Sequence, residues 1–334
     1  GAKAPLDSAS TLIDDPSPEP TEEKDLIGSM DLRHAHQRPF ILKVVAHDLN
    51  RDLESAVFLR VERAAGLTDK HFMPVDTSHG LPYFTDHFKG GTVRVRCEVC
   101  TGKELIVRHH PARTALPAPV FASVAPMDPA INAPADSTFR VSVDANGQFK
   151  LDLARPGAYR VFSDTSAVPA YSLYSVTEAY PIVTSTDDLL KPLRYITSNQ
   201  EYDRILRSDD VRKAIERFWI GGAGARERRR DAFRFYWGGA ENANRHFTSE
   251  VEGWRTDRGL VHIIFGVPTS IYKTDLGETW IYGEENNLMS LVFNFKRRDG
   301  STDMNDLVLE RDPLLKGAWY RNVESWRNGR VYQN

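Results

Sequence analysis

Cysteine is nearly absent: the chain has two in 334 residues, which excludes a small scaffold held by several disulfides. Long apolar runs are missing as well. No stretch reaches the eighteen or so consecutive apolar residues that a membrane-spanning helix needs. Charge of one sign is not in excess, the formal net charge being −3, so no overall field draws the chain to nucleic acid or an anionic membrane. The hydrolase signatures G-x-S-x-G and H-E-x-x-H are lacking. No signal peptide stands at the N-terminus, although a leader cleaved upstream of Gly1 leaves no trace. What remains, 41% hydrophobic and 27% charged residues, is an ordinary globular composition with length for two or three domains.

Residues 1–38 place Pro16, Pro18 and Pro20 among Asp14, Asp15, Glu19, Glu22 and Glu23, with few large apolar residues. That is the composition of a flexible leader rather than a core. From 39 to about 183 the periodicity is two, and strands are predicted over 40–47, 56–63, 92–99, 104–110, 138–143, 148–153 and 158–162. The strongest local signal is FRVSVDANGQFKLDL at 139–153. Phe139, Val141 and Val143 alternate with polar residues, Asn146-Gly147 supplies a turn, and Phe149, Leu151 and Leu153 alternate on the way back, as in a hairpin. Seven or so short strands between turn signals predict an immunoglobulin-like β-sandwich. The Ala- and Pro-rich stretch 113–134 reads as a long loop.

Near Asp187 the period changes. Ser198 and Glu201 form a capping-box pattern at the start of a short helix, Ser208 is placed to cap the next, and a third runs over about 225–246. The inner stripe of that third helix is Ala232, Phe233, Tyr236, Ala240, Ala243 and Phe247, interrupted by Gly238-Gly239, which weakens or kinks it. GWRTDRG at 253–259 then reads as a turn ahead of strands at 260–265, 278–282 and 291–295, a half-buried antiparallel sheet.

Candidate chemistry is sparse. Cys97 and Cys100 fall on opposite parities of a strand, so their sulfurs cannot bond without a turn between them. A strand-end structural pair, a redox or disulfide pair, and a zinc site recruiting His109 and His110 all stay open. Gly221–Gly224 ahead of Arg226, Arg228, Arg229 and Arg230 suggests a phosphate loop, but no strand feeds it and no Lys-Ser/Thr follows. The basic cluster is offset by nearby Asp and Glu and reads as a solvated or docking face. His34, His36, His47, His71, His79 and His87 are scattered, and carboxylates are too abundant for any chosen pair to be informative. Asp257 and Arg258 are expected to pair with each other's neighbours and cap the preceding turn. Most of Trp219, Trp254, Trp280, Phe265 and Phe293 are expected in a core.

Gly253-Trp254-Arg255-Thr256-Asp257-Arg258-Gly259 resembles the signature of the GWxTD-domain proteins of Gram-negative bacteria. PLRYI at 192–196, RFW at 217–219, FGVP at 265–268 and WIY at 280–282 are similar as well. The resemblance is strong over about 180–334, and Gly238-Gly239 departs from it. It implies an exported envelope protein, often a lipoprotein, with no established catalytic residue. A fainter, fold-level likeness is to lipoproteins that brace the outer-membrane barrel-assembly machine.

Together these readings give a leader (1–38), a β-sandwich (39–183) and an α+β domain with a small antiparallel sheet (184–334). The expected role is a non-enzymatic interaction or scaffold component of an envelope assembly or secretion complex. It would be periplasmic or outer-membrane tethered, with membrane association only through a removed N-terminal anchor. No cofactor, metal or nucleic acid is implied, and the partner is another envelope protein. The interaction or structural candidates are Trp254, Thr256, Asp257, Arg258, Trp280 and Tyr282. The alternative is a glycan-binding or hydrolytic protein with a cleft at the domain junction.

Overall fold

A computed structural model describes residues 7–13, 26–30, 32, 39–61, 66–78, 80–123, 134–163, 168–221, 226–274, 276–284, 287, 289–298, 301, 303 and 305–330. Most of the acidic, Pro-rich leader lies outside the described residues, as do His34, His36, His79 and 222–224 of the glycine-rich loop. Among the described residues the fold mixes six helices with several sheets, nearly all antiparallel. No helix among them is long and apolar enough to cross a membrane. Contacts divide the chain into two compact units, 1–66 and 67–334.

The first unit holds a ribbon of two nine-residue strands, β1 (Phe40–Asp48) and β2 (Leu53–Val61). Asp48 Oδ1 accepts the amides of Asn50 and Arg51 and so shapes the turn. Cross-strand register gathers Leu42, Val44, Val57 and Leu59 on one face.

The second unit begins with β3 (Met73–Val75), β4 (His87–Phe88), β5 (Thr92–Arg96) and β6 (Glu104–Pro111). It continues through β7 (Ser137–Ser142), β8 (Gln148–Asp152), β9 (Gly157–Phe162) and β10 (Tyr171–Ser175). These form a five-stranded sheet, β4-β10-β9-β6-β7, and a three-stranded sheet, β3-β5-β8. Both bury their alternate residues in one core: Leu105, Val107, Val161 and Leu173 from the larger sheet, Val93, Val95, Phe149 and Leu151 from the smaller. Alternation at period two produces this arrangement, because every second side chain faces the shared interior.

The expected hairpin at Asn146-Gly147 is not one. Gly147 takes φ +70° and donates to Asp144 O at 3.0 Å, so the turn forms. The strands then part: β7 pairs with β6 and β8 with β5, in opposite sheets. Both Val143 and Phe149 face the same core, and an arch across the core buries the two apolar stripes together where a flat hairpin would bury one side only. The chain between β5 and β6 arches beside it, Cys97 N–H donating to Gly147 O and Val143 N–H to Lys103 O. This second arch decides the cysteines. A 3-10 turn at Glu98–Cys100 swings Cys100 back, and the two fully buried sulfurs are joined in a disulfide.

The chain then builds α1 (Thr186–Leu190), α2 (Asn199–Leu206), α3 (Val211–Ile220), α4 (Arg226–Phe247) and α5 (Asp257–Phe265). Strands β11 (Ser270–Thr274), β12 (Gly277–Tyr282), β13 (Leu291–Arg297) and β14 (Leu307–Leu309) follow, then α6 (Lys316–Arg327). The capping box at Ser198 and Glu201 is present. Asp210, not Ser208, caps α3, its Oδ1 accepting the Lys213 amide at 3.0 Å. The glycine pair Gly238-Gly239 sits inside an unbroken α4. Ala232, Tyr236, Ala240 and Ala243 are fully buried along that helix, and the small side chains of the three alanines let α5 lie against it.

The apolar run 260–265, expected as a strand, is helical. Thr256 caps it by accepting the Gly259 amide, and Gly266 ends it at φ +81°. Residues 257–264 are all buried. A helix buried all round has no period to read, and periodicity alone does not separate it from a buried strand. The sheet β11-β12-β13-β14 packs Trp280, Phe293 and Phe295 against these helices.

Candidate functional site

The segment 253–259 is fixed by backbone contacts that only glycine permits. A Cβ on Gly253 would collide with the carbonyl of Ala243 in α4, and one on Gly259 with the carbonyl of Gly253. Between them Trp254 is buried. Its amide donates to Asn244 Oδ1 at 3.3 Å and its carbonyl accepts Tyr195 Oη–H at 2.8 Å. Thr256 Oγ1 donates to Gly253 O at 2.7 Å and accepts from Gly259 N at 3.0 Å, closing the corner on itself.

The charged side chains reach further than expected. Asp257 and Arg258 pair with residues brought in from downstream, and the capping falls to Thr256. Asp257 Oδ2 accepts the Leu309 amide of β14 at 2.8 Å, and its Oδ1 lies 2.6 Å from Arg311 Nη2. Arg258 donates to Glu278 Oε1 at 3.1 Å, where β12 begins, and to Asn305 O at 2.9 Å. Burial draws the Arg258 guanidinium pKa down from its ordinary value, and Glu278 opposes that fall. Glu278 Oε2 in turn accepts Trp280 Nε1–H at 2.9 Å. Tyr282 donates to Gly266 O at 2.9 Å. All six candidates, Trp254, Thr256, Asp257, Arg258, Trp280 and Tyr282, are buried. Adjacent in sequence, Asp257 and Arg258 grip the outer edge of β14 and the base of β12 respectively.

An extended strap, 112–121, crosses this corner. Arg255 Nη1 donates to Thr114 O at 2.6 Å, and Arg311 Nη2 to Ala118 O at 3.0 Å. Beneath it lies a cavity of about 360 Å³ touched by Arg113, Arg255, Thr256, Asp257, Arg298 and Arg311. Its charges are largely matched within the protein, as in Arg298–Asp306 at 2.9 Å and Arg255–Glu252 at 2.6 Å. On the other side of the strap a groove of about 1490 Å³ runs along α6. At its wall Arg327 pairs with Glu201 at 2.6 Å and holds that carboxyl down to about 2.

A smaller, polar cavity of about 280 Å³ opens where β4 and β10 meet the end of α4. It gathers Asp69, Asp86, His87, Tyr171, Tyr174 and Asp303. Asp86 accepts the Tyr171 hydroxyl, and burial raises the carboxyl above its usual range. The His87 ring stacks on Tyr174 at 4.8 Å and bonds Ser249 O through Nε2 at 3.1 Å; burial lowers its pKa. Asp303 Oδ1 accepts the Asn305 amide at 2.7 Å, while Oδ2 is buried and has no hydrogen-bond partner among the described residues. Burial, then Asp306, Glu250 and Asp86, raise Asp303 to about 7. Sequence reasoning singled out His87 here but missed Asp86, Tyr171 and Asp303. Their partnership spans more than two hundred residues and has no spacing to betray it.

The other histidines do not converge. His47 bonds Asp52 on the ribbon and His71 closes a local box with Thr68. His109 bonds Asp136 Oδ1 at 2.7 Å through Nδ1. Among the described residues no group of three or more His, Cys, Asp or Glu could hold a metal ion.

The family model of the GWxTD domain matches residues 157–328, beginning at β9 inside the five-stranded sheet rather than near 180. No curated protein and no solved structure matches the chain.

Proposed function

Because the chain belongs to the GWxTD-domain family, we propose that it is a non-enzymatic envelope component, periplasmic and tethered at the outer membrane, that docks another envelope protein within a larger assembly or secretion complex. The observation that carries this reading is where the signature spends its polar groups. Asp257 blocks the outer edge of β14 by taking the Leu309 amide, and Arg258 anchors β12 through Glu278. These contacts brace a sheet and leave β11 as its edge strand among the described residues, with Ile271 and Tyr272 exposed. An exposed edge strand accepts an extended segment through main-chain hydrogen bonds, so the partner contributes such a segment. The Cys97–Cys100 bond supports an oxidising compartment. The two-sheet layer, read as an immunoglobulin-like sandwich, serves as the second face of the scaffold.

Site-specific photocrosslinking from position 272 in intact envelopes tests this. A discrete adduct with an envelope protein, lost when Ile271 is replaced by a charged residue, is expected. A chain recovered as a free monomer without adducts overturns the reading. One observation favours the alternative, a glycan-binding or hydrolytic cleft: the polar cavity holding Asp86 and Asp303. Release of reducing ends from a polysaccharide by the purified chain, abolished by Asp86→Asn, would establish it instead.

A further inference from the structure

The cavity between β4, β10 and the end of α4 brings three carboxylates, Asp69, Asp86 and Asp303, against one guanidinium, Arg245. Asp303 Oδ2 is the telling atom. It is buried and has no donor among the described residues, and an unpaired buried carboxyl oxygen costs the full desolvation of the group. Like charges add to that cost, since Asp306, Glu250 and Asp86 all act on Asp303. No positively charged N–H donor among the described residues reaches Asp303 Oδ2, Arg245 included.

Three ligand chemistries compete. A metal ion fits poorly, because no metal-ligand set of three or more side chains converges among the described residues. A neutral sugar brings hydroxyls but no charge to offset the carboxylates. The volume of about 280 Å³ also falls at the floor of the roughly 300–1,000 Å³ typical of small-molecule sites, which leaves room for a head group and not an oligosaccharide. An organic cation satisfies each requirement. It supplies charge and several N–H donors, and its carbon atoms meet the aromatic side chains of Tyr171 and Tyr174 in the cavity lining.

We propose that this cavity binds an alkylammonium or guanidinium group, with Asp86 and Asp303 as its counter-charges and Tyr171 and Tyr174 as its aromatic walls. The group can come from a free amine or from a lysine or arginine side chain of a protein.

The test is calorimetric titration of the full chain with n-butylammonium, ethylguanidinium, n-butanol, calcium chloride and an acetylated, amidated Gly-Lys-Gly peptide. Both organic cations are expected to bind and n-butanol is not. Asp303→Asn, which keeps the shape and removes the charge, is expected to weaken binding about tenfold; Asp152→Asn, at an exposed carboxylate outside the cavity, leaves it unchanged. Tighter binding of the peptide than of n-butylammonium assigns the ligand to a protein side chain, and the reverse assigns it to a free amine. Asp86→Asn is titrated in parallel, so that a folding defect in one variant does not decide the outcome. Folded chain that binds neither organic cation, binds n-butanol equally, binds calcium in their place, or binds unchanged in both variants overturns the proposal.

Discussion

Asp257 and Arg311, 54 residues apart, form an ion pair at 2.6 Å in which both side chains are almost wholly buried. The same guanidinium donates to Ala118 O on the strap, and the same carboxylate takes the Leu309 amide. One pair thus joins the start of α5, the edge of β14 and a segment from the β-rich half of the second unit.

Asp257→Ala leaves a buried guanidinium and a buried amide unpaired. Breaking one side of such a pair costs about 3–5 kcal/mol, and the urea midpoint of the second unit is expected to fall accordingly. Asp257→Asn keeps an acceptor for Leu309 and is expected to lose less. Equal losses in the two variants would show that charge is not what the position supplies.

Gly253→Ala and Gly259→Ala each drive a methyl into backbone. Backbone cannot step aside as a side chain can, so either substitution is expected to prevent folding or cost more than about 4 kcal/mol. Gly238→Ala is the internal control. That position is exposed on α4 with open space beside it, and the gain in helix propensity is expected to raise stability by about 0.5–1 kcal/mol. Circular dichroism melts distinguish the three.

Trp254 is 4% exposed, and Arg255 places its guanidinium 4.4 Å from the ring centre. Trp254→Ala is expected to cost about 3–5 kcal/mol. An unchanged thermal midpoint would mean that the ring adds nothing to the core.

The disulfide closes a loop with a sequence separation of only 3. Loop entropy for so short a closure gives about 2 kcal/mol. Cys97→Ala/Cys100→Ala is therefore expected to lower stability modestly and leave the arches in place, as read from urea unfolding with and without reductant.

Two buried groups give stability opposite slopes with pH. Asp303 is raised to about 7, so the folded state holds a proton that the unfolded chain has released, and stability falls as pH rises from about 4 to about 7. His262 is lowered to about 4, by burial and then by His246. The unfolded chain binds that proton first, and stability falls as pH drops from 6.5 towards 4. Asp303→Asn is expected to flatten the first limb and His262→Gln the second in denaturant titrations across this range. A profile unmoved by either substitution would remove these groups from the account.

Much of the β-rich part was legible. Period-two alternation placed β1, β5, β6, β7, β8 and β9 within a few residues, because a strand's two faces are written two residues apart. The capping box at Ser198 and the inner stripe of α4 were equally local. Missed were β10, in which Tyr171–Ser175 is buried on both faces and so shows no alternation, the edge strand β11, and the short β3, β4 and β14. Trp237, buried beside the expected stripe, was missed as well. In the polar cavity, Asp86 and Asp303 are two carboxylates among 46 acidic residues, and nothing local marks them.

By itself the sequence determined which stretches alternate, where glycine and capping residues turn the chain, and that 253–259 bears the family's signature. Tertiary structure alone decided that the strands flanking Asn146-Gly147 part into opposite sheets, that 260–265 coils rather than extends, and that Asp257 meets Arg311. The reason is one of range. Propensity and periodicity act over a few residues, whereas the choice of partner rests on burying two apolar faces at once and on matching charges that only the packed core brings within reach.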